Sequence, residues 1–215
     1  MRPARFQRIV EVLERRQPDL TVLMDNVHKP HNLSAVIRSC DAVGVLEVHI
    51  VSPARKAAIH HETSAGTGKW MGVRRHVDGG SGARFLREAG FRIVAADLGE
   101  PCADFRDVDY TRPTGFLLGA ELLGVSEEAM TEADVRVRIP MAGMARSLNV
   151  SVAAALLLYE AYRQREAAGM YEQSRLSPER KSALLFEWAH PKLARSLRES
   201  GRPYPELNAS GQIRG

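Results

Sequence analysis

Short apolar runs alternate with helical patterns along most of this chain, and that alternation restricts the fold more than any other feature. β-type runs fall at Leu20–Met24, Leu46–Val51, Val73–Val77, Phe91–Ala96, Gly115–Leu118 and Val135–Ile139. Between them lie helical patterns at Asn32–Val43, Ala83–Ala89 and Ser126–Ala133. Gly44 and Gly90 follow two of these, where a helix closes on a left-handed residue that glycine adopts without a Cβ clash. Such alternation predicts an α/β fold, a mostly parallel sheet with helices on both faces. A longer helix is expected from about Asn149 to Ala168, and Ser177-Pro178-Glu179 has the cap and first-turn proline that open another. Residues 2–17 read as an amphipathic helix, with Phe6, Ile9, Val10 and Leu13 on one stripe and Arg5, Arg8, Arg15 and Arg16 beside it. The organisation expected is a basic N-terminal helix over 1–19, a sheet domain over 20–168, and a helical extension with a tail over 169–215. The tail, rich in Gly, Pro and Asn, is expected to be ordered only where it packs on something else.

Charge adds a second constraint through its placement. The chain of 215 residues carries a net charge of +4, with five arginines against three acids in 1–20 and ten basic residues against seven acids in 160–215. The middle stretch is slightly acidic. Basic flanks suit a partner with a phosphate backbone, and they equally suit an ordinary solvated helix face. No apolar run reaches the roughly 18 residues of a membrane span. No apolar segment follows Met1-Arg2-Pro3-Ala4-Arg5, so no secretory signal is expected. Two cysteines, Cys40 and Cys102, without metal-ligand spacing, point to a reduced, cytoplasmic setting.

Common cofactor motifs fail when their chemistry is checked. The nearest phosphate-loop candidate, ending Gly66-Thr67-Gly68-Lys69-Trp70, has Thr63 where the first glycine belongs and Trp70 where a metal-binding hydroxyl belongs. No G-x-G-x-x-G follows the first strand, and no Gly-x-Ser-x-Gly elbow is present. The pairs His28 and His31, and His60 and His61, lack partners at metal-binding spacing, so no metal is expected. Three other segments gather polar residues and glycines where strands of a parallel sheet end, the place where such sheets bind ligands. They are Asn32-Leu33-Ser34-Ala35-Val36-Ile37-Arg38, Leu118-Gly119-Ala120-Glu121-Leu122-Leu123-Gly124, and Ile139-Pro140-Met141-Ala142-Gly143-Met144-Ala145-Arg146-Ser147-Leu148-Asn149-Val150-Ser151.

In these three segments, taken in order and at these separations, the sequence resembles the TrmH (SpoU) group of the SPOUT RNA methyltransferases. The resemblance runs from the basic N-terminal helix through the helix at 149–168, and more loosely to Gly169-Met170-Tyr171 and Pro203-Tyr204-Pro205. It implies a C-terminal deep trefoil knot in the α/β fold, and a homodimer whose active site is completed across the interface. It implies transfer of a methyl group from S-adenosylmethionine to a ribose 2′-hydroxyl, with guanosine 18 in the D-loop of tRNA as the expected target. Carried over residue by residue, the cofactor would lie among Asp97, Gly119, Ile139, Met141, Ser147 and Leu148. Arg38, Asn32, Glu121, Ser147 and Asn149 would serve catalysis, while Arg5, Arg8, Arg15, Arg16 and Arg146 would contact RNA. A guanidinium is effectively never deprotonated in a protein, so Arg38 is expected to hold a phosphate beside the hydroxyl rather than to act as a base. Blander roles stand beside these: Asn32 or Ser147 as a helix cap, Glu121 as a surface acid. Another tRNA position, an rRNA target, or a non-catalytic tRNA-binding protein are the alternatives in function.

Overall fold

In the computed structural model the described residues are 2–52, 70–120 and 123–214. Glu121, together with His60, His61 and the discarded phosphate-loop candidate at 66–69, lies outside them. The chain divides into two compact units, one of residues 18–168 and one that joins the chain up to Gln17 with the chain from Gly169 onward.

The larger unit is built on seven strands: β1 (Leu20–Met24), β2 (Glu47–Val51), β3 (Gly72–His76), β4 (Arg92–Ala96), β5 (Ala103–Asp104), β6 (Thr114–Leu118) and β7 (Val135–Arg138). Their order across the sheet is β3-β2-β1-β6-β4-β7-β5, and every neighbouring pair is parallel. Six were expected; β5, two residues long, is too short to show any alternation. Side chains leave a strand on alternate faces, so each central strand feeds two cores. Val22 and Met24 of β1, Phe116 and Leu118 of β6 and Val94 of β4 enter one core. There they meet Val36, Ile37 and Cys40 of α2 (Pro30–Ala42) and Ala154, Leu157, Leu158 and Ala161 of α5 (Val150–Ala167). Leu23, Leu117, Ile93 and Ala95 face the other way, onto Ala83 and Leu86 of α3 (Gly79–Glu88) and Ala129 of α4 (Glu127–Met130). Each such large apolar side chain, fully buried, contributes about 1.5–3 kcal/mol.

Register decides where the chemistry can sit. Leu20 to Met24 pair one for one with Thr114 to Leu118, Ala95 pairs with Leu117, and Ala96 with Val137. The carboxyl ends of β1, β6, β4 and β7 are therefore nearly level and make one shelf. Gly44 and Gly90 take the expected left-handed conformation, with φ of 83° and 87°. The third helix starts earlier than its apolar pattern suggested, because Gly79, Gly80 and Gly82 disguise its first turn. Asp78 caps it, accepting from the Ser81 N–H at 2.7 Å. A Cβ on Gly82 would stand 3.0 Å from the Leu23 side chain, so glycine lets the helix start lie close on the sheet.

The carboxyl end of α5 is anchored by a charge in the interior. Arg165 is fully buried, pairs with Asp19 at 2.7 Å, and donates to the carbonyls of Tyr110 and Arg112, both at 2.9 Å. A buried guanidinium is tolerable only when its donors are matched in this way. One residue back, Gln164 accepts from the Tyr110 N–H and donates to the Val108 carbonyl, and buried Tyr110 donates its hydroxyl to the Phe105 carbonyl.

The smaller unit packs α1 (Pro3–Glu14) against α6 (Pro178–Ala189), with α7 (Pro191–Glu199) following. Phe6, Ile9 and Leu13 of the expected stripe are buried. The tail is held within this unit: Leu207 bridges Ile213, and the Gly211 carbonyl lies 2.8 Å from Nε2 of His190. Gly211 has φ 77°, and a Cβ there would approach the Phe6 ring to 2.4 Å. One expectation is corrected here. Arg16 is fully buried, with its guanidinium 5.3 Å from the centroid of the Trp188 ring, so it packs the unit from within and presents nothing to RNA.

Candidate active site

Three strand ends enclose a cleft of about 170 Å³, lined among others by Asp97, Gly119, Ile139, Met141, Ser147 and Leu148. These are the six residues assigned to the cofactor from the sequence, brought together from the ends of β4, β6 and β7. The remaining walls are mainly apolar: Ala96, Leu98, Leu118, Val125, Val137, Val150 and Ala153, with Ala120 and Gly124. None of these was singled out for a ligand, although Leu118, Ala120, Gly124 and Val150 lie within the motifs. Adjacency to those three strand ends was the available signal for the rest.

The glycines of the second motif have a steric cause. A Cβ on Gly119 would stand 2.0 Å from the Gly124 carbonyl carbon and 2.3 Å from the Val125 nitrogen. Gly124 and Val125 thus lie directly against Gly119, and the Gly124 N–H donates to the Ala120 carbonyl at 2.8 Å. Gly124 itself has φ 65°. Glycine at 119 admits the close pass and glycine at 124 the left-handed turn. Backbone thus lines this side of the cleft. At the end of β4, Asp97 accepts from the N–H groups of Leu98 at 2.7 Å and Gly99 at 3.2 Å, an arrangement that shapes the turn there.

The first and third motifs meet through their asparagines. Asn149 is the N-cap of α5, its Oδ1 accepting from the Ser151 N–H at 2.8 Å and the Ser151 hydroxyl at 2.6 Å. Its Nδ2 donates to Oδ1 of Asn32 at 3.2 Å. Asn32 is 2% exposed and is the third residue of α2, whose cap position is Lys29. Capping is therefore the role of Asn149 and not of Asn32 or Ser147. Asn32 instead ties α2 to the start of α5, one residue past the cleft residue Leu148.

Arg38 stands apart. It is exposed on α2, does not line the cleft of its own chain, and makes no hydrogen bond or ion pair with another described residue. Arg146 is exposed in the loop leading to Ser147, and Arg5, Arg8 and Arg15 are exposed in the smaller unit. Among the described residues no cluster of His, Cys, Asp or Glu is arranged to hold a metal ion, and no helix is long and apolar enough to cross a membrane.

Away from the cleft, His49 and His76 face each other on β2 and β3, with Nδ1 of one 2.9 Å from Nε2 of the other. His49 is pushed down from 6.5 to about 4, first by burial, with nearby Glu47 opposing and the charges of His76 and Arg74 adding to the fall.

Known proteins match this architecture over nearly the whole chain. Residues 19–159 match the SpoU rRNA Methylase family and residues 163–215 the family described as SpoU, rRNA methylase, C-terminal. A tRNA (guanosine(18)-2'-O)-methyltransferase of Thermus thermophilus is 57% identical over 185 residues, covering 86% of this chain and 95% of that protein. The crystal structure of the Aquifex aeolicus TrmH/SpoU tRNA modifying enzyme superposes with a TM-score of 0.83 at 44% identity, covering 88% of this chain and 97% of the other. The SpoU methyltransferase AviRb from Streptomyces viridochromogenes, solved in complex with the cofactor AdoMet, gives a TM-score of 0.62 at 34% identity, over 72% of this chain and 62% of that one. With its motifs, sheet and strand-end cleft in agreement, the chain belongs to the SpoU methylase family.

Proposed function

We propose that this protein methylates the ribose 2′-hydroxyl of guanosine 18 in the D-loop of tRNA, using S-adenosylmethionine. The observation that carries the reading is the cleft, where the six residues expected to hold the cofactor converge beside the Asn32–Asn149 link. The relatives that match over most of their length act in name on that nucleotide. The cleft suits the cofactor chemically. Its apolar walls at Leu98, Ile139, Met141 and Leu148 accept a flat adenine, and backbone groups at Gly119 with the carboxylate of Asp97 offer partners to polar edges. Bound there, S-adenosylmethionine supplies a methyl group made electrophilic by its sulfonium.

The chain's own residues supply position and charge. Arg38, with its forked donors, grips a backbone phosphate next to the target ribose and so aims the 2′-oxygen, an effect worth several powers of ten when the geometry is in line. Phosphate or water then takes the proton. Asn149 and Asn32 fix α2 relative to the cleft loop, Ser147 stands at the mouth, and Glu121 is assigned to catalysis by its place in the second motif.

Because Arg38 does not line the cleft of its own chain, the reading includes a homodimer in which one protomer's Arg38 serves the partner's cleft. Val152, Leu156 and Tyr159 support it: they recur at helical spacing on α5 and are 46%, 40% and 54% exposed. An apolar stripe of this kind is what one helix offers another. The reading also includes the trefoil knot, a cytoplasmic location, and RNA contacts by Arg5, Arg8, Arg15 and Arg146.

The test is to incubate the protein with labelled S-adenosylmethionine and unmodified tRNA transcript and to map the product. Label at the ribose of guanosine 18 is the expected result. Label at another nucleotide would overturn the target, and absence of transfer to any tRNA or rRNA would overturn the enzyme.

A further inference from the structure

Asp25 lies just past the end of β1, is 1% exposed, and belongs to none of the three motifs. A carboxylate buried this deeply is strongly unfavourable unless its surroundings compensate. Here they do. Oδ2 of Asp25 accepts from the Ser126 N–H at 2.8 Å, the first residue beyond the cleft wall formed by Gly124 and Val125. It also lies against the first residue of α3: a Cβ on Gly79 would stand 2.7 Å from Oδ2 and 2.6 Å from the Ser126 hydroxyl. The amino end of a ten-residue helix carries partial positive charge, which favours an anion at that point. The Asp25 N–H donates to the Leu118 carbonyl at 2.8 Å, immediately before Gly119. One residue thus joins Leu118, just before Gly119, through its N–H, to Ser126, just after Val125, through its carboxylate.

Asp25 also opens the chain toward the catalytic segment. Asn26 follows with φ 57°, a left-handed turn, then buried Val27, and the chain enters α2 and reaches Asn32. We propose that Asp25 is a positioning residue for the reaction: it holds Gly124 and Val125 against Gly119 in the arrangement that receives the cofactor, and registers them against the segment bearing Asn32 and Arg38. This rests on the cofactor reading above and adds a residue outside the family motifs to the site.

The experiment measures S-adenosylmethionine affinity by calorimetry for the parent, Asp25→Ala and Asp25→Asn, each with a thermal melt. Asp25→Ala removes the acceptor and is expected to weaken cofactor binding about ten-fold or more at a temperature where it is fully folded, the size of one lost charge-assisted bond. Asp25→Asn keeps an acceptor oxygen and is expected to lose about three-fold or less. Thr21→Val is the control for stability alone, since it removes another buried bond of β1, from the Thr21 hydroxyl to the Glu47 carbonyl at 2.7 Å, at a distance from the cleft. It is expected to lower the melting temperature with cofactor affinity unchanged. If Asp25→Ala binds within two-fold of the parent, or if Thr21→Val with an equal melting loss weakens binding equally, the proposal is overturned. A parent that does not bind the cofactor would overturn the functional reading itself.

Discussion

The two ends of α5 are built in opposite ways. At its carboxyl end Arg165 is fully buried and its donors meet Asp19 and the carbonyls of Tyr110 and Arg112. At its amino end Asn149 is exposed beside an exposed, irregular loop from Met141 to Ser147, and residues from the ends of three strands, Asp97 and Ser147 among them, line a cleft. The difference teaches how to sort polar residues in this fold. Where fixed protein partners enclose a charge, it stabilises the fold; where solvent still reaches a polar group at a strand end, its remaining capacity is available to a ligand.

The sharpest way to break this comparison is at the buried end. Arg165→Ala removes the guanidinium from the Asp19 carboxylate and from the carbonyls of Tyr110, Asp19 and Arg112, and is expected to cost about 3–5 kcal/mol of stability by denaturant titration. A loss below about 1 kcal/mol would show that the pair is solvated in solution.

A second buried polar pair extends the rule to the sheet edge. The folded value of His49, about 4, lies below its unfolded 6.5, so the folded state favours the neutral ring. The stability it permits is complete above about pH 6.5, declines as the pH falls, and is lost below about pH 4. Melts across this range are expected to show a loss of about 3 kcal/mol attributable to this group, flattened in His49→Gln. An equally steep fall in the variant would place the acid sensitivity elsewhere.

At the open end the expected signature is reversed, with activity lost and stability kept. Arg38→Lys retains charge but not the fork, and is expected to lower kcat by about a hundred-fold with an unchanged melting temperature. Full activity would remove the bidentate role. The smallest effect is expected at Arg146→Ala: a few-fold weaker tRNA binding, with a salt slope about one unit shallower and methyl transfer intact at saturating tRNA. An unchanged slope would free Arg146 of any phosphate contact.

Which of these residues could be read from sequence follows the same division. Strand ends, motif glycines and the asparagine pair were legible because local pattern and motif spacing carry them. The interior charges were not. Nothing in a linear sequence distinguishes Asp25, Arg165 or Arg16 from surface ions, since their partners lie on other elements; Arg16 was accordingly expected at an RNA surface. The first turn of α3 is hidden by glycines that its close approach to the sheet requires, and the sequence signal of α7 is Pro191 at its first turn. Gly119 shows both sides: its place in a motif is visible, while the 2.0 Å collision that demands glycine needs the folded loop.

The central claim is that three separated segments form one cofactor cleft that a dimer presents to a ribose. A crystal structure with S-adenosylhomocysteine tests it most directly. The account predicts the ligand between Asp97, the Gly119–Val125 loop and Ile139–Leu148, with Arg38 of a second protomer facing its sulfur. A ligand bound elsewhere, or Arg38 remote from the cleft in every pairing of protomers, would contradict it.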